Sequence, residues 1–297
     1  MQLYSHQFQA IGSPCQIQLY AKNREAFSVI SSIMIEEVNR LEQKYSRYQQ
    51  TSLLSEINQS AGIKSVEIDA ETYSLCQYAN TAYQLSNGLF DVTTGILRRI
   101  WNFKTGNIPK PDEISNYLPL INWPDVSLTS STIYLPYKGM EIDLGGIVKE
   151  YAADAARNIA INKGCQHGIV ELGGDISIIG AHTNGKPWQV GIRTGKQNNG
   201  AHIYFPATKG AIASSGNYEK VLVLDGKTYS HILNPQTGWP CDGLTAVSVW
   251  AEQCIIAGSV STIAMLLGEE EGLQWLKESS LPFIAKTKVG SIVSNKS

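Results

Sequence analysis

The stretch MEIDLGGIVKEYAADAARNIAINKGCQHGIVELGGDISIIG, residues 140–180, decides the fold. Apolar and polar residues alternate at its start, which predicts a strand over 138–143 ending in Asp143. Gly145 and Gly146 then break the strand, and a helix begins just after them and ends near Lys163 and Gly164. Two further strands, 167–172 and 175–180, follow one another directly around Gly173 and Gly174.

The same economy of helices continues downstream. Strands are expected at 188–194, 201–206, 211–214, 219–225 and 244–251, helices near 255–267 and 269–278, and a last strand near 282–287. Upstream, residues 1–21 read as two short strands around a turn at 12–14. Residues 25–48 carry Phe27, Ile30, Met34, Val38 and Leu41 at spacings of three and four, the mark of an amphipathic helix. A second helix spans 71–85 and stops at Asn87 and Gly88, and a strand lies near 126–134. Residues 104–125 hold Pro109, Pro111, Pro119 and Pro124, and so read as loop or short helix and as a candidate subdomain joint. Clustered strands with few helices between them predict an α+β fold, with mixed or antiparallel sheets flanked by helices, rather than a doubly wound parallel sheet. Residues 1–297 are expected to form a single two-lobed unit, since no internal repeat or low-complexity segment divides them.

Composition excludes more than it selects. The 297 residues hold 24 Lys and Arg against 26 Asp and Glu, and charged residues make up only 17%, against about 25% in ordinary soluble chains. Without an excess of cations, broad binding to nucleic acid or to anionic membranes is not expected. The five cysteines are scattered with no metal-binding spacing, so semi-buried reduced thiols are expected rather than a zinc site or a disulfide framework. No apolar run reaches the roughly 20 residues of a membrane helix. The N-terminus lacks a signal peptide or lipobox, which predicts a cytoplasmic chain as written, or a periplasmic one if a signal has been removed.

Several segments are richer in Gly, Asp, His and Thr than scaffolding requires. In 140–156, Asp143, the Gly145 and Gly146 turn and Lys149 in a first helical turn make a sensible anion site: glycine admits a ligand to the backbone, and the helix N-terminus offers free N–H groups. An ordinary strand-to-helix turn would look the same. At 170–176 the Gly173, Gly174, Asp175 run is either a plain hairpin or a place where a ligand touches the backbone. In 212–240, Ser214, Ser215, Gly216 and Asn217 resemble a phosphate-holding turn. His231 stands at a strand end feeding the turn-rich LNPQTG loop, which makes it the candidate catalytic histidine. His6, His167, His182 and His202 sit in plain contexts. The small-residue helix 257–268 either packs tightly or lets Thr262 offer an oxygen to a cation or phosphate. Within 88–101, Phe90 and Asp91 precede a helical run, and Asp91 reads as an N-cap.

In order along the chain, these segments resemble the ApbE family of flavin transferases, which move FMN from FAD onto a protein threonine or serine. The resemblance rests on the 10–13 turn, KYSRYQQTSLLSEIN (44–58), GLFDVTTGILRRIW (88–101), DLGGIVKEYAAD (143–154), ELGGDI (171–176), SSGNYE (214–219) and SHILNPQTGWP (230–240), and covers nearly the whole chain. It implies FAD contacts at Ile11, Tyr48, Leu89, Phe90, Asp91, Asp143, Lys149 and Ile232, with Ser215, Gly216 and His231 lining the same cleft. It also implies a flavin-acceptor protein as partner, release of AMP, and Mg²⁺ held by the Gly146 carbonyl and Thr262. The family's Asp one turn before that threonine is Gly258 here, and an i, i+4 oxygen pair is thereby reduced to Thr262 alone. Mg²⁺ usually takes one or two carboxylates, so another acid has to reach in; Glu252 lies on a poorly matched face. Ile11 in place of Met, and Glu150 in place of the Gly after the lysine, look milder. The loss at 258 keeps two alternatives open: an FAD-binding protein without transferase activity, or an FAD pyrophosphatase.

Overall fold

In the computed structural model, which describes residues 1–103, 106, 108–192, 203–217, 221–224 and 227–295, the chain opens with β1 (Gln2–Ala10), β2 (Ser13–Ala21), α1 (Arg24–Tyr45) and α2 (Leu53–Gln59). β3 (Val66–Glu67), α3 (Ala70–Leu85), a 3-10 stretch over Val92–Arg99, α4 (Pro111–Tyr117), β4 (Ser127–Leu128) and β5 (Thr132–Tyr134) follow. The second half runs α5 (Val148–Asn162), β6 (Gly168–Leu172), β7 (Asp175–Gly180), β8 (Trp188–Ile192), β9 (Ile203–Ala207), β10 (Gly210–Gly216), β11 (Val221–Leu224) and β12 (Lys227–Ser230). It ends with β13 (Ala246–Ala251), α6 (Cys254–Leu267), α7 (Glu270–Glu278), β14 (Phe283–Lys286) and β15 (Ile292–Ser294).

An eight-stranded antiparallel sheet in the order β1-β2-β6-β7-β10-β13-β14-β15 is the frame, as an α+β fold requires. Alternation along its strands sends successive side chains to opposite faces. Val170, Leu172, Ala211, Ala213, Val247 and Val249 join the apolar residues of α1, α5 and α6 in the main core. Ile169, Ile178, Ile212 and Ile284 point the other way, onto Trp188, Val190 and Phe205 of the β8–β9 ribbon. Helices, sheet and ribbon therefore form three layers. Asn23 caps α1 by accepting from Ala26 N–H at 2.9 Å, and Phe27, Ser31, Met34, Val38, Leu41 and Tyr45 make its buried stripe.

Residues 138–143 are not the strand that their alternation predicts. Met140, Ile142 and Leu144 are buried as a strand would bury them, but among the described residues no neighbouring strand pairs with them. The Asn58 amide instead donates to Ile142 O at 3.0 Å and accepts from Ile142 N–H at 2.8 Å, and Asp143 N–H donates to Val92 O at 2.8 Å. A side-chain amide can satisfy a backbone donor and acceptor together, and here it stands in for a ladder.

Asp154 fixes how α5 crosses its neighbours. It accepts from Ser177 Oγ of β7 at 2.7 Å and from Ile255 N–H, in the first turn of α6, at 3.1 Å. α6 has no side-chain cap of its own, so Asp154 fills that role across the helix pair. Arg157, one turn on, donates to Glu252 O at 2.9 Å.

A third apolar cluster joins Ile96, Leu97, Trp101, Ile114 and Leu233. It holds the 231–240 loop: Trp101 Nε1 donates to Gly238 O at 2.8 Å, and the Asn234 carboxamide accepts from Gln236 and Thr237 N–H at 2.8 and 3.1 Å. Gly238 has φ +69°, and a Cβ there would stand 2.3 Å from Ile114 Cγ2, so only glycine fits.

Cys15, Cys76 and Cys254 are buried thiols and Cys165 and Cys241 half-buried ones. His167 and His182 make structural bonds, to Ala181 O at 2.7 Å and to the Tyr20 hydroxyl at 3.0 Å, while His202 lies outside the described residues. Among the described residues no helix is long and apolar enough to cross a membrane.

Two outcomes follow from these contacts. Asp154→Ala leaves buried partners unsatisfied and should lower stability by about 2–4 kcal/mol, read from urea unfolding; a loss under about 1 kcal/mol would contradict the bridging role. Arg40 and Lys44 of α1 hold Glu71 at 2.6 and 2.7 Å, and chiefly the Arg40 hydrogen bonds, working against burial, bring its carboxyl from 4.5 to about 2. A depressed acid stabilises the fold above its unfolded value and loses that contribution as pH falls through its folded one. Thermal unfolding should therefore show acid destabilisation between pH 4.5 and about 2, shallower in Glu71→Gln; identical profiles for the two proteins would contradict it.

Candidate active site

The turn after Asp143 is built by close backbone packing. A Cβ at Gly95 would lie 2.9 Å from Asp143 Cβ, so the 88–95 and 142–146 segments meet because glycine stands at that contact. Asp143 accepts from Gly145 N–H at 2.9 Å and from Arg47 Nη1 at 3.0 Å. Arg47 also donates to Gly95 O at 3.0 Å and pairs with Glu141 at 3.2 Å. Burial pushes the Asp143 carboxyl up, but the Arg47 and Arg98 charges and the Gly145 N–H outweigh it, and the group is held below the usual carboxylate range. Arg47 was not singled out in the sequence, where it is one basic residue within KYSRY.

α5 starts directly behind this turn without a side-chain cap, and Lys149 stands in its first turn. Its Nζ is 2.8 Å from Asp175 Oδ2, and Asp175 is 1% exposed. Asp175 Oδ1 accepts from Ser214 N–H at 3.2 Å. The Gly173, Gly174 turn is a two-residue hairpin with φ +59° and +93°, closing Leu172 onto Asp175. A Cβ on Gly173 would be 2.8 Å from Ser13 Cβ and 3.7 Å from Lys149 Cδ, so the turn also lies against the first hairpin and the lysine. At the end of β10, Ser215 Oγ is 2.8 Å from Ser261 Oγ and 2.9 Å from Thr262 Oγ1. Lys149, Asp175, Ser215 and Thr262 thus belong to one contact chain linking α5, β7, β10 and α6.

Glu150 is where the structure departs most from expectation. It is not the mild exchange expected: it is 6% exposed, and its side chain lies on Gly258. A Cβ at 258 would be 2.6 Å from Glu150 Cγ and 2.9 Å from Oε1. Glu150 Oε2 is buried with no hydrogen-bond partner. Burial first, then the Asp175 charge, push the carboxyl well above its usual range. Glu252, by contrast, is exposed. Sequence reasoning placed the departures at 150 and 258 side by side but did not connect them, because only the α5–α6 crossing brings them together.

The remaining candidates fall in three settings. Asp91 is committed to the fold: its oxygens accept from Thr93 N–H and Oγ1 at 2.7 and 2.5 Å and from Trp123 N–H at 3.3 Å, the N-cap role expected of it. Phe90 is buried with its ring 3.6 Å from where a Gly146 Cβ would be, and Leu89 packs on the main core. Ile11 and Gly12 form the two-residue β1–β2 turn with φ +52° and +65°. A β-branched residue in that region is strained by about 1–2 kcal/mol. Tyr48 is 84% exposed with the Arg47 guanidinium 6.0 Å from its ring centre, an open face on which a ring system could stack. His231 directly follows β12 at the head of the docked 231–240 loop, and Ile232 packs on the main core with its carbonyl accepting from Cys241 N–H at 2.8 Å. Gly216 ends β10; the SSGNYE segment then runs into residues outside the described ones.

Among known proteins, the model of the ApbE family matches residues 11–285. A FAD:protein FMN transferase of Chlamydia pneumoniae is 30% identical over 249 residues, covering 81% of this chain and 77% of the relative. One of Klebsiella pneumoniae is 28% identical over 282 residues, covering 93% and 86%. The crystal structure of the ApbE protein of Thermotoga maritima superposes with a TM-score of 0.91 at 29% identity, covering 99% of this chain and 97% of that one. The flavin transferase ApbE of Vibrio cholerae shares the fold, with a TM-score of 0.88 at 22% identity over 99% of this chain and 97% of that one. A match spanning almost the full length, together with the shared architecture, establishes that this chain belongs to the ApbE family.

Proposed function

We propose that this chain transfers FMN from FAD to a threonine or serine hydroxyl of an acceptor protein, with release of AMP and with Mg²⁺ at the pyrophosphate. The observation that carries the reading is the convergence at Lys149: a cation in an uncapped first helical turn, 2.8 Å from Asp175, with the Gly173 turn against its stem and Ser214 N–H on the same carboxylate. Helix N-terminal N–H groups and a lysine together favour a phosphate. Its relatives named FAD:protein FMN transferases support the choice of ligand.

The roles divide by element. Tyr48 offers an exposed ring for stacking, the strained Ile11 turn lies beside the Gly173 hairpin through Ser13, and Asp143, held ionised by Arg47, accepts from ligand N–H or O–H groups. Lys149 and the α5 N-terminus face the pyrophosphate charge. The acceptor hydroxyl oxygen forms a bond to the FMN phosphorus as the bond from that phosphorus to the AMP oxygen breaks. His231 takes the hydroxyl proton, the task for which an imidazole is best matched near neutral pH. Such transfers are mainly positioning and charge stabilisation.

A hard divalent cation fits the residues present. Its donors would be the Gly146 carbonyl, the Thr262 hydroxyl and a carboxylate; the Glu150 side chain lies against α6 through Cγ and Oε1, and its other oxygen, Oε2, is buried without a hydrogen-bond partner. Among the described residues no group of three or more His, Cys, Asp or Glu forms a metal array, so phosphate oxygens of the substrate would complete the shell, as Mg²⁺ commonly requires. When bound, the cation neutralises charge developing on the phosphoryl and leaving oxygens.

Incubating the full chain with FAD, Mg²⁺ and a flavin-acceptor domain should give a covalently fluorescent acceptor and one AMP per adduct. Lys149→Ala should lower kcat/KM for FAD on the order of 100-fold. FAD bound without turnover under every divalent cation would favour the binding-only alternative, and free FMN with AMP but no adduct would favour the pyrophosphatase.

A further inference from the structure

We infer that Glu150 of α5 is the carboxylate ligand of the divalent cation, and that Gly258 of α6 is the cradle that admits it. The two residues are complementary: the Glu150 side chain of α5 occupies the space against α6 that the missing side chain at 258 leaves open. The inference rests on the transferase reading only for what the cation does there; the cation site itself stands on the geometry.

Glu150 is 94% removed from solvent by its 6% exposure, yet Oε2 has no partner. A buried carboxylate oxygen left unpaired is costly and rare unless something else fills it. Gly258 is equally odd in isolation, since glycine is among the poorest helix formers and α6 is otherwise a regular fourteen-residue helix. Each oddity explains the other. A Cβ at 258 would stand 2.6 Å from Glu150 Cγ, so any side chain there would expel the glutamate. With glycine at 258, the longer Glu side chain reaches from α5 across to the face of α6 on which Thr262 follows one turn later.

The neighbours supply what a hard cation needs, and the Asp175 carboxyl, which meets that of Glu150, adds a second acid at the same place. Thr262 Oγ1 is 2.9 Å from Ser215 Oγ, which is 2.8 Å from Ser261 Oγ, giving neutral oxygens beside the acid. Ser261 Oγ donates back to Gly258 O at 2.9 Å and so firms the helix where it lacks a side chain. Lys149 faces Asp175 at 2.8 Å, so two buried acids share one nearby lysine, and a dication offsets the excess negative charge. The other buried acid of the helix, Asp154, is already engaged by Ser177 Oγ, Ile255 N–H and the Arg157 guanidinium 3.7 Å away.

The test is Mn²⁺ titration of the chelator-stripped full chain, followed by electron paramagnetic resonance of free Mn²⁺, with folding checked by near-ultraviolet circular dichroism. The wild type should bind one Mn²⁺ per chain. Glu150→Gln, close to isosteric, should weaken binding by about tenfold or more, and so should Gly258→Ala, whose methyl displaces the glutamate. Glu150→Gly combined with Gly258→Asp should restore binding to within about threefold of wild type, because the carboxylate returns from the other helix. Mn²⁺ binding by Glu150→Gln as tight as wild type would overturn the inference. So would a wild type that binds no Mn²⁺ beside a Glu150→Gln protein that does, since Glu150 would then be a plug. Failure of FMN transfer with Glu150-dependent Mn²⁺ binding intact would instead defeat the functional reading and leave the cation site standing.

Discussion

Asp154 is the point on which the site depends. It fastens α5 to β7 through Ser177 and to α6 through the Ile255 N–H, and it does so from within the helix pair, where it is almost fully buried. A buried carboxylate is tolerated when its oxygens are hydrogen-bonded. Because Asp154 caps α6, the start of that helix is locked to the second turn of α5. The first turn of α5, one turn back along the same face, is thereby set against Gly258. Lys149, Glu150, Asp175 and Thr262 owe their relative positions to that crossing.

Two acids one turn apart on α5 therefore have opposite characters. Asp154 spends its oxygens on the fold; Glu150 keeps one in reserve. The same contrast separates Asp91, consumed by Thr93 and Trp123, from Asp143, which Arg47 holds ionised in a turn that still reaches the surface. In each pair the structural carboxylate is hydrogen-bonded to the backbone and hydroxyl groups it fastens together. Ile11 is a branched residue held at φ +52° at the head of a hairpin that touches the Gly173 turn through Ser13.

Legibility in the sequence followed the range of the interaction. Periodicity located α1 and α3 because their buried stripes repeat within a few residues, and Asp91 was readable as a cap because its partners, Thr93 N–H and Oγ1, lie two residues on. The hairpin at Gly173 and Gly174 was readable for the same reason. The strand expected at 138–143 failed at longer range: its alternation is real, but Asn58 and Val92 supply the pairing, and neither can be seen from the stretch itself. α2 was missed because seven residues, LLSEINQ, carry too little period to register. Arg47 and Glu150 were hardest, since their meaning lies in partners far away in sequence. The departures at 150 and 258 were each visible, and only the α5–α6 packing brings them into contact.

If Glu150 holds the cation, the carboxylate of this site comes from α5 and not from α6. Crystals of the wild-type chain grown with FAD and Mn²⁺, measured at the manganese absorption edge, test it most directly. The account predicts one anomalous peak at α6, with a Glu150 oxygen and Thr262 Oγ1 both at about 2.0–2.3 Å from the ion. A peak bound by Thr262 and phosphate oxygens with Glu150 turned away and hydrogen-bonded inside the protein would contradict it.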